Sequence, residues 1–281
     1  MNNTRTCNQS KITEFLLVGF SATRPLKVLL FSICLVIYIM TLSVNLMIIA
    51  LYLGSHHLRS PMYFFLSNLS ATDILLSTSV GPNLLCTFLK DGNPMSGFFT
   101  GVECFLLTVM AYDRYLAICK PLHYVTIMTN KHCLHLVIWS WLEIVLFLLP
   151  VTITVSHLGF CGCKTLDYIY CDTPPLLKMS CSDVFLLGIA ITVMAIPVTV
   201  IPLLFIITTY FIILLCILRI SSNTGRYKAF STCSSHLTVV SIFYGILIAK
   251  YTVPSKRPSL NMNKTISLLY TLMTPLFNPI I

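Results

Sequence analysis

Seven apolar runs, each long enough to cross a lipid bilayer, alternate with short polar segments along this chain. A transmembrane helix needs about 20 mostly apolar residues, and a helix that touches lipid is apolar nearly all round. The pattern predicts an all-α bundle of seven transmembrane helices over residues 25–281, preceded by a polar N-terminal tail over residues 1–24. The predicted spans are about 25–53, 59–88, 93–119, 132–155, 184–218, 228–251 and 263–281.

The composition supports a membrane location. Of the 281 residues, 56% are hydrophobic and only 10% are charged, whereas a soluble domain carries roughly 25% charged residues. The formal net charge is +9, but the Lys and Arg residues fall between the apolar runs, where they flank a membrane. We therefore expect the lipid bilayer as a partner and no nucleic acid.

The positive charges do not decide the orientation. With the N-terminus outside, seven of the 18 Lys and Arg residues lie inside and eleven outside, so the positive-inside rule gives no support. Two glycosylation sequons begin at Asn2 and Asn8, and the Cys-rich linker 156–183 suits an oxidising side of the membrane. We expect an extracellular N-terminus with both asparagines glycosylated.

Adjacent opposite charges, Asp113 and Arg114, close the third apolar run. Such a pair at a membrane edge is costly unless it pairs locally or meets a partner. The plain alternative is an arginine that extends to the interface beside an unrelated aspartate.

Several motifs together resemble the olfactory receptors, a branch of the rhodopsin-like G-protein-coupled receptors. They occur in family order and spacing from span two to span seven, and Asn45 in span one adds to them. The matching segments are Pro61–Leu66, Leu69–Asp73, Met110–Cys119 with Lys120–Tyr124, Lys228–His236 and Pro275–Pro279.

The resemblance implies roles for individual residues. Arg114 is expected to be held by Asp113 at rest and to meet a heterotrimeric G protein when freed, with Tyr210 as its partner in the active state. Asp73 and Glu103 are expected to form an interior polar site that holds a sodium ion; the alternative is a pair of protonated, hydrogen-bonded structural acids. The full set of expected activation residues is Asp113, Arg114, Tyr115, Tyr210, His236, Asn278 and Pro279.

The resemblance also implies an outer ligand pocket between spans three, five, six and seven. Its lining is mostly apolar with a few hydroxyl groups, which suits a small odorant anchored by one hydrogen bond. Each aliphatic member could equally be ordinary helix packing, and Lys250 could contact an acidic or carbonyl ligand or reach the interface. The expected lining is Thr100, Gly101, Cys104, Met194, Val198, Thr199, Tyr244, Leu247, Ile248, Tyr251 and Thr271.

The chain departs from the family pattern near the third span. About nine residues and a cysteine ahead of Glu103 are missing, which removes roughly 13 Å of helix. We expect a shortened third helix that begins at Asn93 as N-cap with Pro94 in the first turn.

The lost cysteine leaves the disulfides of the long linker open. The resemblance implies a bridge between Cys161 and Cys181. Cys171 then pairs with the extra Cys163 or stays free.

The sequence ends at Ile281, before the family's amphipathic inner helix. The resemblance implies an odorant receptor of the plasma membrane that activates a stimulatory G protein. An impaired receptor variant, caused by the short third helix and the truncated C-terminus, is one alternative, and a small-solute transporter is another. No arrangement of nucleophile and base, metal ligands or phosphate-binding glycines indicates an enzyme.

Overall fold

A computed structural model describes residues 16–17, 23–55, 59–89, 98–158, 165–166, 177, 180–181, 184–252 and 260–279. In these ranges the chain forms seven helices of 18 residues or more and one short helix. The helices are α1 (Arg24–Gly54), α2 (Pro61–Leu89), α3 (Phe98–Cys119), α4 (Pro121–Ile127), α5 (Asn130–Ser156), α6 (Phe185–Leu218), α7 (Asn223–Thr252) and α8 (Leu260–Phe277).

Helix α3 occupies the centre of the bundle. It packs against α2, α4, α5, α6 and α7, whereas α1 packs on α2 and α8 at one side. The 22 residues of α3 rise about 33 Å at 1.5 Å each, which matches the hydrocarbon core of roughly 30 Å. The predicted start at Asn93 and Pro94 lies outside the described residues.

The outer surface of the bundle differs from that of a soluble protein, because large apolar side chains are exposed while carboxylates are buried. Leu146, Phe185 and Leu186 are 70–77% exposed, whereas Asp73 and Glu103 are fully buried. Lipid accepts exposed leucine and phenylalanine, and carboxylates within a bilayer turn toward the bundle interior. By length and hydropathy alone, four of the described helices could cross a membrane: α1, α5, α6 and α7. The chain is therefore a multi-pass membrane protein.

Three features differ from the sequence-based expectation. The short helix α4 was not predicted, although Pro121 at its first position suits a helix start. Helix α7 begins at Asn223 rather than near 228, because Ser222 caps it: its side-chain Oγ accepts a hydrogen bond from Gly225 N and its carbonyl accepts one from Arg226 N.

The third difference is a parallel pairing of two-residue strands, β1 (Leu16–Leu17) with β2 (Thr165–Leu166). Apart from it, the regular structure within the described ranges is helical. The pairing brings the N-terminal tail and the long linker to the same end of the molecule. Which side of the membrane that end faces stays a prediction.

Candidate functional site

An interior polar cluster connects α8 with α1, α2 and α3. We define it as Asn45, Asp73, Glu103, Tyr270 and Asn278, all buried. Asn45 Nδ2 donates to Thr41 O and to Pro275 O, both at 2.9 Å. The Pro275 carbonyl has no helical donor four residues later, because residue 279 is a proline without an N–H group. Asn45 therefore supplies from α1 the hydrogen bond that the sequence of α8 cannot make.

Both carboxylates of the cluster accept hydrogen bonds from α8 or from the turn that directly follows it. Asn278 Nδ2 donates to Asp73 Oδ1 at 3.0 Å and Oδ2 at 3.1 Å. Tyr270 Oη donates to Glu103 Oε2 at 3.1 Å. Asp73 and Glu103 are also close enough to share a hydrogen bond when one of them is protonated. The structure thus brings together the residues expected to form the interior site.

The donor set of the cluster fits a small hard cation. Carboxylate and hydroxyl oxygens are the ligands that such ions prefer, and Glu103 Oε1 is buried without a hydrogen-bond partner among the described residues. No group of three or more His, Cys, Asp or Glu residues that could hold a metal occurs in the part of the chain described. A cation here would rely on two carboxylates with hydroxyl groups and water.

A second group, the α3-end cluster, comprises Asp113, Arg114, Tyr124, Tyr210 and His236. The buried Asp113 accepts a hydrogen bond at Oδ1 from Tyr124 Oη of α4 at 2.9 Å. Burial of Tyr124, together with the neighbouring Asp113 charge, raises the pKa of its phenol. Tyr124 therefore remains a neutral donor at physiological pH.

The expected pair between Asp113 and Arg114 is not formed in this structure. Asp113 Oδ2 and Arg114 Nε have no hydrogen-bond partner among the described residues. Neighbouring residues of a helix point in different directions and do not face each other. Asp113 consequently turns to α4, while Arg114 lies near the side chains of α6 and α7.

The partners near Arg114 are Tyr210 and His236, both close enough to feel its charge. Tyr210 Oη lies 2.6 Å from His236 Nδ1. The two rings stack with centroids 5.7 Å apart and an interplanar angle of 17°. This pair joins α6 to α7 next to the arginine. Tyr115 is half-buried in the same region, with Lys120 Nζ 5.9 Å above its ring.

Only part of the expected ligand lining faces the bundle interior. Cys104, Val198, Tyr244, Leu247 and Thr271 are buried, and Thr199 is half-buried. The hydroxyls of Thr199 and Thr271 donate to carbonyls in their own helices.

Two of the expected lining residues are more exposed than the others. Met194 is 38% and Ile248 52% exposed. Their place in the ligand lining stays a prediction.

Gly101 contributes to helix packing. A methyl group at this position would collide with the Ile144 side chain and come within 3.2 Å of Val198 Cγ1. The absence of a side chain therefore lets α3 approach α5 and α6 closely.

The Tyr244 hydroxyl is a buried polar group of this region with a weak partner. It lies next to the Cys104 thiol, and sulfur is a weak acceptor; no N or O partner occurs among the described residues. A buried phenol without a strong partner is costly. A ligand carbonyl or hydroxyl group would satisfy it.

Lys250 was expected either to contact a ligand or to reach the interface. In the structure its Nζ lies 5.8 Å above the Tyr270 ring.

Several residues and side chains of the expected sites are not among those that the structure describes. They are the side chains of Thr100 and Tyr251, the sequons at Asn2 and Asn8, and Cys161, Cys163 and Cys171. Cys181 is disulfide-bonded, and its partner is not among the described residues. Its pairing with Cys161 stays a prediction.

Tyr270 and Tyr124 are the site residues whose roles the sequence reasoning missed. Tyr270 follows Ser267 and precedes Thr274, both buried polar residues of α8. This spacing of three and four is a polar stripe that could have been recognised. The role of Tyr124 had no such signal, because α4 itself was not predicted.

Comparison with known proteins shows the family of the chain. The family model described as "Olfactory receptor" matches residues 33–281. Olfactory receptor 5P60 of Mus musculus is 43% identical over 285 residues, covering 98% of this chain and 89% of the mouse protein. Olfactory receptor 2G6 of Homo sapiens is 43% identical over 287 residues, covering 98% of this chain and 90% of the human protein. The chain belongs to the olfactory receptor family.

Proposed function

We propose that this chain is an odorant-sensing receptor that activates a stimulatory heterotrimeric G protein. The observation that carries the proposal is the α3-end cluster: Tyr210 contacts His236 between α6 and α7, the charge of Arg114 acts on both side chains, and Asp113 bonds to Tyr124 instead. A cation at one end of the central helix, close to two other helices, suits a contact with a signalling partner. The relatives reported above are named as receptors rather than transporters, which favours this proposal over the transporter alternative.

The proposed mechanism is a population shift. A small, mostly apolar ligand enters the region around Cys104, Val198 and Tyr244 and is anchored by the Tyr244 hydroxyl. It binds better when α7 has moved relative to α3, and this difference in affinity biases the opposite end of the bundle toward the G-protein-competent state. This mechanism requires the chain to lie in the plasma membrane with its N-terminus outside the cell. The α3-end cluster then faces the cytosol.

A cyclic-AMP reporter assay with an odorant panel tests the proposal. An agonist identified with the unaltered chain should lose its response with Arg114→Ala. Arg59→Ala is the matched control, because Arg59 is exposed in the connection between α1 and α2. Surface levels are measured by an N-terminal tag on intact cells. Equal responses from both variants at equal surface levels would refute the role of Arg114.

We also propose a sodium ion at Asp73 and Glu103. Support comes from their burial, their closeness and the unpartnered Glu103 Oε1. Ion binding to the folded state alone raises its stability with salt concentration. The melting temperature of the purified chain should therefore rise more in sodium chloride than in choline chloride. Asp73→Asn should abolish the difference, and a difference that persists would exclude Asp73 as a ligand.

A further inference from the structure

An apolar groove lies between α6 and α7, near the C-terminal end of α6. Its volume is about 270 Å³, slightly below the roughly 300 Å³ at which pockets for drug-sized ligands begin. Ile213, Ile217 and Cys233 form a buried floor, while Phe211, Leu214 and Phe230 form exposed sides. The groove therefore opens away from the bundle, toward the surrounding lipid.

A basic residue lies one turn beyond the groove along the axis of α7. On α7 the groove residues Phe230, Ser234 and Leu237 recur every three or four positions. Arg226 lies four residues before Phe230 and thus on the same face, one turn or about 6 Å farther along the axis.

A hydrogen bond fixes the position of this arginine. Arg226 Nη2 donates to Ile220 O at 2.9 Å, three residues beyond the groove residue Ile217. The guanidinium group therefore bridges the first turn of α7 and the segment that follows α6, just beyond this end of the groove. A guanidinium has five N–H donors, so this bond leaves others for an anion.

The surroundings of Arg226 are also suited to a membrane interface. Tyr227 is 75% exposed at the same end of α7, and tyrosine is typical of the headgroup level. Arg219 and Lys228 are exposed nearby in the chain, and α7 begins at Asn223, so the partial positive charge of its N-terminus has the same sign.

We propose that this groove binds an anionic phospholipid, with one acyl chain against Ile213, Ile217 and Cys233 and the phosphate on Arg226. The positive charges of Arg226, Arg219 and Lys228 at this end of the groove select an anionic headgroup over a zwitterionic one. Since the lipid contacts both α6 and α7, its occupancy favours one spacing of the two helices. The inference rests on the proposed function only in placing this end of the bundle at the inner leaflet.

Native mass spectrometry of the full chain, released from nanodiscs with equal phosphatidylglycerol and phosphatidylcholine, tests the headgroup site. One Lys or Arg near an anionic surface contributes about 1 kcal/mol, or roughly fivefold in affinity. Arg226→Gln should therefore lower the ratio of bound phosphatidylglycerol to phosphatidylcholine about fivefold. Arg59→Gln should leave it unchanged. Equal losses in both variants would show that any basic residue near the membrane attracts anionic lipid, which would overturn a specific headgroup site. An unchanged ratio in Arg226→Gln would overturn it as well.

Filling the groove tests the acyl-chain site. Ser234 lines it, so Ser234→Phe should lower the bound amount of both lipids while preserving their ratio. Ser43→Phe, on an exposed face of α1, is the control. Ser234→Leu serves if the larger side chain prevents a monodisperse preparation. Unchanged lipid binding in a folded Ser234 variant would overturn the groove site. A chain that keeps its lipid preference but gives no odorant response would refute the proposed function alone.

Discussion

The hydrogen bonds between Asn278 and Asp73 should contribute measurably to stability. Asn278 Nδ2 is the donor to both oxygens of a fully buried carboxylate. Leaving a buried donor or acceptor without its partner costs about 1–3 kcal/mol in soluble proteins, whereas hydrogen bonds inside membrane proteins average about 0.6 and reach about 1.7 kcal/mol. The contact with both carboxyl oxygens places Asn278→Ala near the upper membrane value. We expect a loss of about 1–2 kcal/mol.

A melting experiment on the purified chain in nanodiscs measures this loss. One kcal/mol corresponds to about 2–4 °C in proteins of 150–250 residues, so the melting temperature should fall by about 2–8 °C. Asn68→Ala is the matched control, since Asn68 Nδ2 donates only to Phe64 O in its own helix. Its melting temperature should change less.

The reciprocal exchange separates the hydrogen bond from simple loss of volume. In Asp73→Asn combined with Asn278→Asp, the amide and the carboxylate trade places and the pair is restored. The double variant should melt above at least one of its single variants, and the double-mutant cycle should give a positive coupling energy. If the two substitutions are additive, or if Asn68→Ala matches Asn278→Ala, the interhelical bond is not what stabilises this region.

Three further outcomes follow from other contacts. Asn45→Ala should lower the melting temperature by a few degrees, because Pro275 O would lose the donor that replaces the missing N–H of Pro279; Ser43→Ala, whose hydroxyl bonds only within α1, is the control. Gly101→Ala should cost about 1–3 kcal/mol by overpacking against Ile144 and Val198, whereas Gly188→Ala, with open space around it, should be neutral or stabilising in the same melt. Tyr124→Phe should raise basal cyclic-AMP signalling, because buried Asp113 loses its hydrogen bond to α4; unchanged basal activity at equal surface level would argue against that restraint.

The sequence predicted the membrane class and the family because both depend on features that are continuous along the chain. The apolar runs and the motifs from Pro61 to Pro279 can be read without knowing how the helices face one another. The interior cluster was predicted in part for the same reason: Asp73 and Glu103 are carboxylates within apolar runs, and such groups turn inward. Both lie in the cluster that the structure shows.

Partners were harder to predict than residues, because a partner depends on the rotation of each helix about its axis. Asp113 and Arg114 are adjacent in sequence and opposite in charge, which favours a pair between them. Their side chains nevertheless project in different directions, and α4, which accommodates Asp113, is too short to give a clear periodic signal. The ligand lining depends on the same rotation: Leu247 is buried, whereas Ile248 beside it is 52% exposed.

The polar contacts are distributed unevenly, and this suggests where the bundle can move. Helix α8 is joined to α1 by Asn45, to α2 by Asn278 and to α3 by Tyr270, each through a buried hydrogen bond. Between α6 and α7, the Tyr210–His236 contact is the buried polar contact that the described side chains show, beside an apolar groove, and the exposed Arg226 bonds to Ile220 O at the helix ends. Apolar surfaces can slide with little change in energy, whereas separating a buried hydrogen-bonded pair leaves polar groups unsatisfied. The α7 end near Arg114 is therefore easier to displace than α8, and a ligand near Tyr244 on α7 acts on this more weakly held helix.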